Sequence, residues 1–346
     1  MQLLKLPTVR ESQLYEKLNG KVKCSICERR CVIAEGGRGF CKTKTNIEGR
    51  LYTLVYGDIS ALESRPIEIK PFFHFYPGST ALTFSTWSCN FHCPWCQNWH
   101  LSRSEPKPEE ANFISPERMI GTALKNKDEG LCVSFQEPTL LFEYSLDVFK
   151  IAREKRLYSC WVSNGYLTLE ALRMLASAGM DAIKIDMKGD ENVYKKYCGG
   201  LDVNVVWRNA REAKKLGMHV EIVNLVITDV NDDEACLNEI IQRHIKELGA
   251  DTPLHFTRYY PAYKFSNPST RIETLEKAYE VAKKAGVLYP YIGNMPGHRY
   301  ENTYCPNCGE LLIKKLGFSV LDYKIKDKKC PSCGEEIPIV GRHVRK

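Results

Sequence analysis

The segment Cys89-Asn-Phe-His-Cys93-Pro-Trp-Cys96 places three thiols within eight residues, spaced C-x3-C-x2-C, directly after the apolar run 80–86. A loop this dense in metal-binding side chains, hung on the end of a buried strand, fixes where a core must stop and a chemical site begin. Structural zinc takes four protein ligands, and a site one ligand short marks a place for chemistry. A [4Fe–4S] cube normally takes four thiolates, so three leave one iron open to a ligand that is not protein. Two other readings use the same residues. Cys93-Pro-Trp-Cys96 alone has the C-x-x-C pattern of a thiol–disulfide oxidoreductase. The three cysteines with His92 or His100 would close a zinc site. Cys89 counts against the first, because a redox dithiol does not use it, and so does the length of the chain.

The other cysteines sort by spacing. Cys305-Pro-Asn-Cys308 and Cys330-Pro-Ser-Cys333 are each followed directly by glycine. Each pair is a tight knuckle in which glycine lets the backbone turn under a metal. Together they make the four-thiolate site of a zinc ribbon, with rubredoxin-like iron as the minor alternative. So small a module depends on its metal to fold. Cys24, Cys27, Cys31 and Cys41 form a second set with Gly36, Gly37 and Gly39 between the last two. Thiolates suit zinc and an auxiliary iron–sulfur cluster alike, and both readings stand. Cys132 and Cys160 read as packed strand thiols and Cys236 as a helix residue.

Fifteen cysteines in 346 residues, behind a start too short and too soon polar for a signal peptide, point to metal ligands in a reducing, cytoplasmic setting. No run of about 18 apolar residues is present, so the expectation is no membrane span. The formal charge of +7 is spread over helical faces such as Lys214-Lys215 and Lys283-Lys284. The basic tail 342–346 lacks any accompanying RNA-binding aromatic motif, which favours solubility over nucleic-acid contact.

Between the cysteine modules, short apolar segments alternate with helix-period segments, the pattern of parallel βα units. Strands are expected at 81–85, 131–135, 159–162, 182–185, 219–227, 254–259 and 288–292. Ser115-Pro116 supplies an N-cap followed by proline at the first helical position. Asn231 with Glu234, and Thr270 with Glu273, have capping-box spacing. Gly179, Gly217, Gly249 and Gly286 stand where left-handed C-caps belong. The fold expected is α/β: a partial (β/α)6-type barrel over residues 76–300, a four-cysteine module over 1–75 and a ribbon with basic tail over 301–346. In such barrels the site collects at the C-terminal strand ends. Those ends carry Thr86, Gln136-Glu137, Ser163-Asn164, Asp186 with Lys188, Asn224, and Arg258.

The central motif, with Trp95 before its last cysteine and Asn98 after it, resembles the radical S-adenosylmethionine (SAM) enzymes. Adding Cys24-Ser-Ile-Cys-Glu-Arg-Arg-Cys31, Glu137-Pro-Thr139, Ser163-Asn-Gly165, Cys198-Gly-Gly200, Gly293-Asn-Met-Pro-Gly-His298 and Asn302-Thr-Tyr-Cys-Pro-Asn-Cys-Gly309, the chain resembles the radical SAM protein of the AmmeMemoRadiSam system, related to the activating enzymes of glycyl-radical enzymes. The resemblance implies that Cys89, Cys93 and Cys96 hold a [4Fe–4S] cluster whose open iron is chelated by SAM. It implies reductive cleavage to methionine and a 5′-deoxyadenosyl radical, which takes hydrogen from a substrate that includes a protein in the activases. A ferredoxin- or flavodoxin-type donor would supply the low-potential electron. Glu137 would bind the SAM amino group, although Phe135-Gln136 replaces the two glycines of the family motif. Ser163 and Asn164 would lie by the methionine portion, Asn224 by the ribose, and Trp95, with Trp87 and Phe91, would cap the cluster. Asp186 matches an aspartate that helps bind a monovalent cation in the activases, where the second carboxylate falls on Val162. Cys198 is the single cysteine expected near the mouth, a candidate hydrogen donor or metal ligand. The rival class is a non-enzymatic zinc-ribbon adaptor or nucleic-acid binder, which leaves the three-cysteine loop unexplained.

Overall fold

The computed structural model describes residues 2–199 and 201–345. Met1 of the chain start, Gly200 of the Cys198–Gly200 motif and Lys346 of the tail lie outside them. Strands and helices alternate as β1 (Thr80–Ser85), α1 (Pro116–Asn126), β2 (Gly130–Val133), α2 (Phe142–Glu154), β3 (Tyr158–Ser163), α3 (Leu169–Ala178), β4 (Ala182–Met187), α4 (Glu191–Tyr197), α5 (Val203–Lys215), β5 (His219–Val226), α6 (Glu234–Leu248), β6 (Leu254–Arg258), α7 (Ile272–Ala285) and β7 (Pro290–Gly293). The protein is α/β, with a mostly parallel central sheet. Among the described residues no helix is long and apolar enough to cross a membrane.

Two compact units share the chain, one of Met1–Ser64, Ala81–Ile183 and Lys215–Met218, the other of Arg65–Thr80, Lys184–Lys214 and His219–Lys346. In the first, β1, β2 and β3 pair in parallel, with Ala81 and Tyr158 both aligned on Gly130. Every residue of β2 is buried, the continuous apolar run expected of a strand covered on both faces. Gly130 is obligatory, because a Cβ there would stand 2.1 Å from the Tyr158 ring. Ahead of this sheet lie two small antiparallel sheets built from Arg10–Glu11, Lys44–Ile47 and Arg50–Thr53, and from Tyr15–Leu18, Lys21–Cys24 and Val32–Ala34. Buried Lys44 reaches Glu143 of α2 at 2.5 Å and ties that lead-in to the helical layer.

In the second unit β5, β6 and β7 pair in parallel, with Ile222, Leu254 and Pro290 in register. The ribbon strands Thr303–Tyr304, Leu311–Leu316 and Ser319–Tyr323 are antiparallel. Their apolar side, Leu312, Ile313 and Ile325, packs with Phe73, Tyr289 and Tyr291 into one cluster. The tail is docked rather than loose: Val340 N–H donates to His74 O, Val344 N–H to Pro77 O, and His343 stacks on Tyr323 at 4.4 Å.

Punctuation matches expectation at some helix ends and departs at others. Ser115 accepts from Arg118 N–H at 3.3 Å, and Gly179 and Gly286 end α3 and α7 with φ of 109° and 103°. The cap of α6 is Asp233, which accepts from Cys236 N–H at 3.0 Å, rather than Asn231. Asn231 is buried and closes the preceding loop, donating to Lys188 O and Leu225 O and accepting from Ile227 N–H. Thr270 likewise serves the strand layer, bonding Tyr259 N–H and Val226 O, and α7 begins at Arg271 with no side-chain cap. Gly249 follows α6 with ψ at 164°, outside the left-handed helical region. The second strand ends at Val133 rather than 135, because Phe135 turns to φ 70°.

Candidate cluster and cofactor site

The first unit brings together most of the residues singled out in the sequence. After β1 the chain turns at Ser88 (φ 70°), and Ser88 N–H donates to Leu101 O, closing the cysteine loop on the short helix Trp99–Ser102. Within the loop, Phe91 N–H points at Cys89 Sγ from 3.3 Å and Cys96 Sγ lies 3.2 Å from Ser102 Oγ. Phe91 and Trp95 are buried and Trp87 is half-buried, so the loop has the apolar flank expected of it. Burial pushes the Cys89 thiol up, and the Glu137 carboxyl and the Cys93 and Cys96 thiols push it further.

Glu137 joins two strand ends. Its Oε1 accepts from Thr139 N–H, the Thr139 hydroxyl and Ser163 Oγ, and its Oε2 accepts from Asn164 N–H at 2.8 Å. It therefore caps the 3-10 turn Pro138–Leu141 and also fixes the Ser163–Asn164 corner. Burial pushes its carboxyl up, and these donors oppose the shift. Oε2 holds one donor and retains capacity for an ammonium. Asn164 Nδ2 donates to Asn90 Oδ1 at 2.7 Å, so the corner after β3 is tied to the cysteine loop. Asn98 Nδ2 donates to Phe135 O at 2.6 Å. Phe135 adopts the positive φ that glycine takes at no steric cost. The chain thus reaches a glycine-like backbone without the glycine.

Several buried polar atoms around these residues have no protein partner: Thr86 Oγ1, Asn90 Nδ2, and both amide ends of Gln136. An unpaired buried polar group costs about 1–3 kcal/mol, so unpartnered atoms on the segments that carry the cysteine loop and Glu137 fit a polar group bound to them. The donor set suits SAM, whose ammonium needs an acceptor and whose carboxylate needs donors. Asn90 and Gln136 were not assigned roles from sequence. Asn90 was visible only as the neighbour of Cys89, and Gln136 as a polar strand-end residue and a departure from glycine.

The second unit holds the remaining residues. Asn224 is fully buried on β5, donates to Met187 O at 3.0 Å, and leaves Oδ1 unpartnered. Asp186 is paired with Lys184 and, at 3.4 Å, with Lys188. Burial raises its carboxyl, but these two ammonium groups outweigh burial and hold it below the usual range. One carboxylate facing two ammonium groups leaves no net negative charge there for a monovalent cation. Cys198 follows α4 and is fully buried. Cys132 and Cys160 are buried in register on β2 and β3, and Cys236 is buried on α6. In the ribbon, Cys305 Sγ lies 3.5 Å from Cys333 Sγ and Cys308 Sγ 3.6 Å from Cys330 Sγ. Gly309 and Gly334 take the positive φ the knuckles require.

Residues 85–238 match the Radical SAM superfamily. Uncharacterized protein MJ0808 of Methanocaldococcus jannaschii is 43% identical over 336 residues, covering 96% of this chain and 100% of that protein. Uncharacterized protein MJ0674 of the same organism is 26% identical over 276 residues, covering 75% of this chain and 74% of that protein. Among solved structures, a radical SAM methyltransferase from Sphaerobacter thermophilus superposes with a TM-score of 0.51 at 12% identity, over 84% of this chain and 79% of that one; this likeness is one of fold. With the three-cysteine loop, the match over residues 85–238 places the chain in the radical SAM superfamily of enzymes, and membership implies a [4Fe–4S] cluster and SAM.

Proposed function

We propose that this enzyme generates a 5′-deoxyadenosyl radical on a cluster held by Cys89, Cys93 and Cys96, and uses it to take hydrogen from a substrate, in the manner of the glycyl-radical activases. The observation that carries the reading is the network joining the cysteine loop through Asn90 to Asn164 and Glu137. The bound cluster and SAM supply the radical chemistry when reduced by a ferredoxin- or flavodoxin-type donor. The chain supplies the rest. Glu137 Oε2 accepts the SAM ammonium, Ser163 and Asn164 hold that carboxylate still, and Asn90 Nδ2 and Gln136 offer donors to an anionic group. Phe91 and Trp95 exclude water beside the thiolates, and the amide of Phe91 aimed at Cys89 Sγ tunes the cluster potential. Cys198 is assigned packing in preference to catalysis, because it is fully buried.

A protein substrate and the AmmeMemoRadiSam relationship are part of this proposal, supported by the ordered motifs from Cys24 to Cys333. We assign zinc to Cys305, Cys308, Cys330 and Cys333, whose ligand atoms all lie within 4.8 Å of one another. The thiol-rich composition favours a cytoplasmic location. In this reading residues 1–75, 76–300 and 301–346 are a four-cysteine module, the catalytic body and the ribbon.

The test is formation of 5′-deoxyadenosine by the anaerobically reconstituted protein with SAM and dithionite. Wild type should form it, and Cys89→Ala/Cys93→Ala/Cys96→Ala should not. Cleavage retained in the triple variant would overturn the assignment.

A further inference from the structure

Two arginines of the first unit grip the backbone between the first two thiols of the cysteine loop. Arg29 Nε donates to Asn90 O at 2.5 Å, and Arg103 Nη2 donates to Phe91 O at 2.9 Å. These carbonyls are consecutive. The peptide unit joining Asn90 to Phe91 therefore has Arg29 on its oxygen and Cys89 at its hydrogen, since Phe91 N–H points at Cys89 Sγ from 3.3 Å. Arg103 directly follows Ser102, whose Oγ lies 3.2 Å from Cys96 Sγ. Both guanidinium groups are thus set against the backbone that carries the thiols.

What these two arginines lack is a carboxylate. Among the described residues neither has an ion-pair partner. Other arginines of the unit do: Arg30 with Glu28 at 2.7 Å, Arg50 with Glu11 at 3.3 Å, and Arg38 with Glu105 at 3.9 Å. Glu105 stands two residues from Arg103 and turns to Arg38 instead. The Arg29 guanidinium rests on the Phe40 ring, 3.6 Å from its centroid. Arg103 keeps Nε and Nη1 buried without a protein partner. Buried charge is ordinarily paired, because taking it from water costs more than neutral contacts return. The counter-charge missing here is an anion held by the loop itself.

We propose that Arg29 and Arg103 are the fixed counter-charge of the iron–sulfur cluster held by Cys89, Cys93 and Cys96, and raise its reduction potential. The proposal rests on the cluster reading above. Three thiolates on an oxidised [4Fe–4S] core of two positive charges sum to one negative charge, and to two once the core takes an electron. Two guanidinium groups match the reduced state and so favour it over the oxidised one. Net charge and hydrogen bonds to sulfur are among the levers that set such potentials. Arg29 acts through the peptide. A cationic donor on its carbonyl polarises the unit and strengthens the N–H contact to Cys89 Sγ at the other end. Phe91 and Trp95 are buried beside the thiols, which leaves these charges little screened by water. Dry surroundings disfavour added negative charge on the loop, and the two cations on its backbone offset that.

The test is a redox titration of the full-length, anaerobically reconstituted protein without SAM, followed by electron paramagnetic resonance. The signal read is the one that Cys89→Ala/Cys93→Ala/Cys96→Ala lacks. Glutamine keeps an N–H donor for each carbonyl and removes the charge, while lysine keeps the charge and loses the planar fork. Arg29→Gln and Arg103→Gln should each lower the midpoint potential, and the two together should lower it further. Arg29→Lys and Arg103→Lys should stay near wild type. An unchanged potential in Arg29→Gln/Arg103→Gln at wild-type iron content would overturn the proposal and leave the arginines as clamps of the loop. If the glutamine variants hold no loop iron, the lysine variants decide: iron retained supports the need for charge, and iron lost overturns it. Wild type lacking the signal would overturn the cluster reading, and this proposal with it.

Discussion

Gln136 shows how one residue can be unfavourable to the empty fold and favourable to the loaded one. Its side chain is buried with both polar ends unpartnered. Gln136→Ala removes that penalty, so the cofactor-free variant should melt at or above the wild-type temperature. In the proposed site the same change deletes a donor for SAM. A hydrogen bond is worth about 0.5–1.5 kcal/mol net, so SAM affinity should fall by up to about tenfold. Opposite signs in melting and in SAM titration are the expected outcome; a variant that melts lower and binds SAM unchanged would make Gln136 a packing residue. Glu137→Gln should fail differently. Either amide orientation points an NH2 at protein donors, at Asn164 N–H or at Thr139 and Ser163, so both melting temperature and SAM affinity should drop. The sequence made the thiols, Glu137, Ser163 and Asn164 legible because each is a chemically distinctive type at a strand end. It named Gln136 only as a strand-end amide and gave Asn90 no role, because whether a buried amide has a partner is a fact of three dimensions. Asp186 was misleading for the same reason: its pairing with Lys188 was foreseeable, but Lys184 joins it from two residues back along β4.

At the scale of elements, the seven strands lie where the alternation of apolar and helical segments placed them, since burial writes a largely apolar run into strands such as β2, every residue of which is buried. Helix starts were less legible. Asn231 and Thr270 have the composition of caps, yet both are consumed by loops against the strands, leaving the cap to Asp233 in one case and to no side chain in the other. The lead-in sheets left no periodic signal, being short strands of mixed polarity, and their attachment rests on a pair no local pattern reveals. Lys44 and Glu143, 99 residues apart, are each at most 4% exposed. Removing one partner strands a buried charge, at a cost of about 3–5 kcal/mol. Lys44→Ala should therefore lower stability by about that amount in denaturant melts. Lys44→Met/Glu143→Leu should recover most of the loss, because an apolar pair of similar volume needs no compensation. A double variant as unstable as the single would mean that the loss comes from packing and not from the unpaired carboxylate.

At the scale of the whole molecule, stability is conditional on pH, and the condition centres on Lys315. It is 3% exposed on the middle ribbon strand, donates to Glu301 O and Thr303 Oγ1, and lies 4.3 Å over the Phe73 ring. Burial pulls its ammonium down to about 7 against the pull of Glu68, Glu221 and Glu301. Between about 7 and the ordinary lysine value of about 10.4, the unfolded chain holds a proton that the fold has released. Stability from this group therefore rises with pH across that window, by up to about 1.4 kcal/mol per unit, and the full penalty stands below pH 7. Nearby groups titrate elsewhere: burial lifts Glu68 to about 7 from the carboxylate range, and lowers His74 to about 3. Glu68 thus costs stability as pH rises towards 7, before the lysine window opens. Lys315→Met keeps the chain's bulk and removes the titration. The difference in melting temperature, wild type minus variant, should climb steadily from pH 7 to 10. A difference flat across that range would mean that Lys315 keeps its charge in the fold, held by the carboxylates around it.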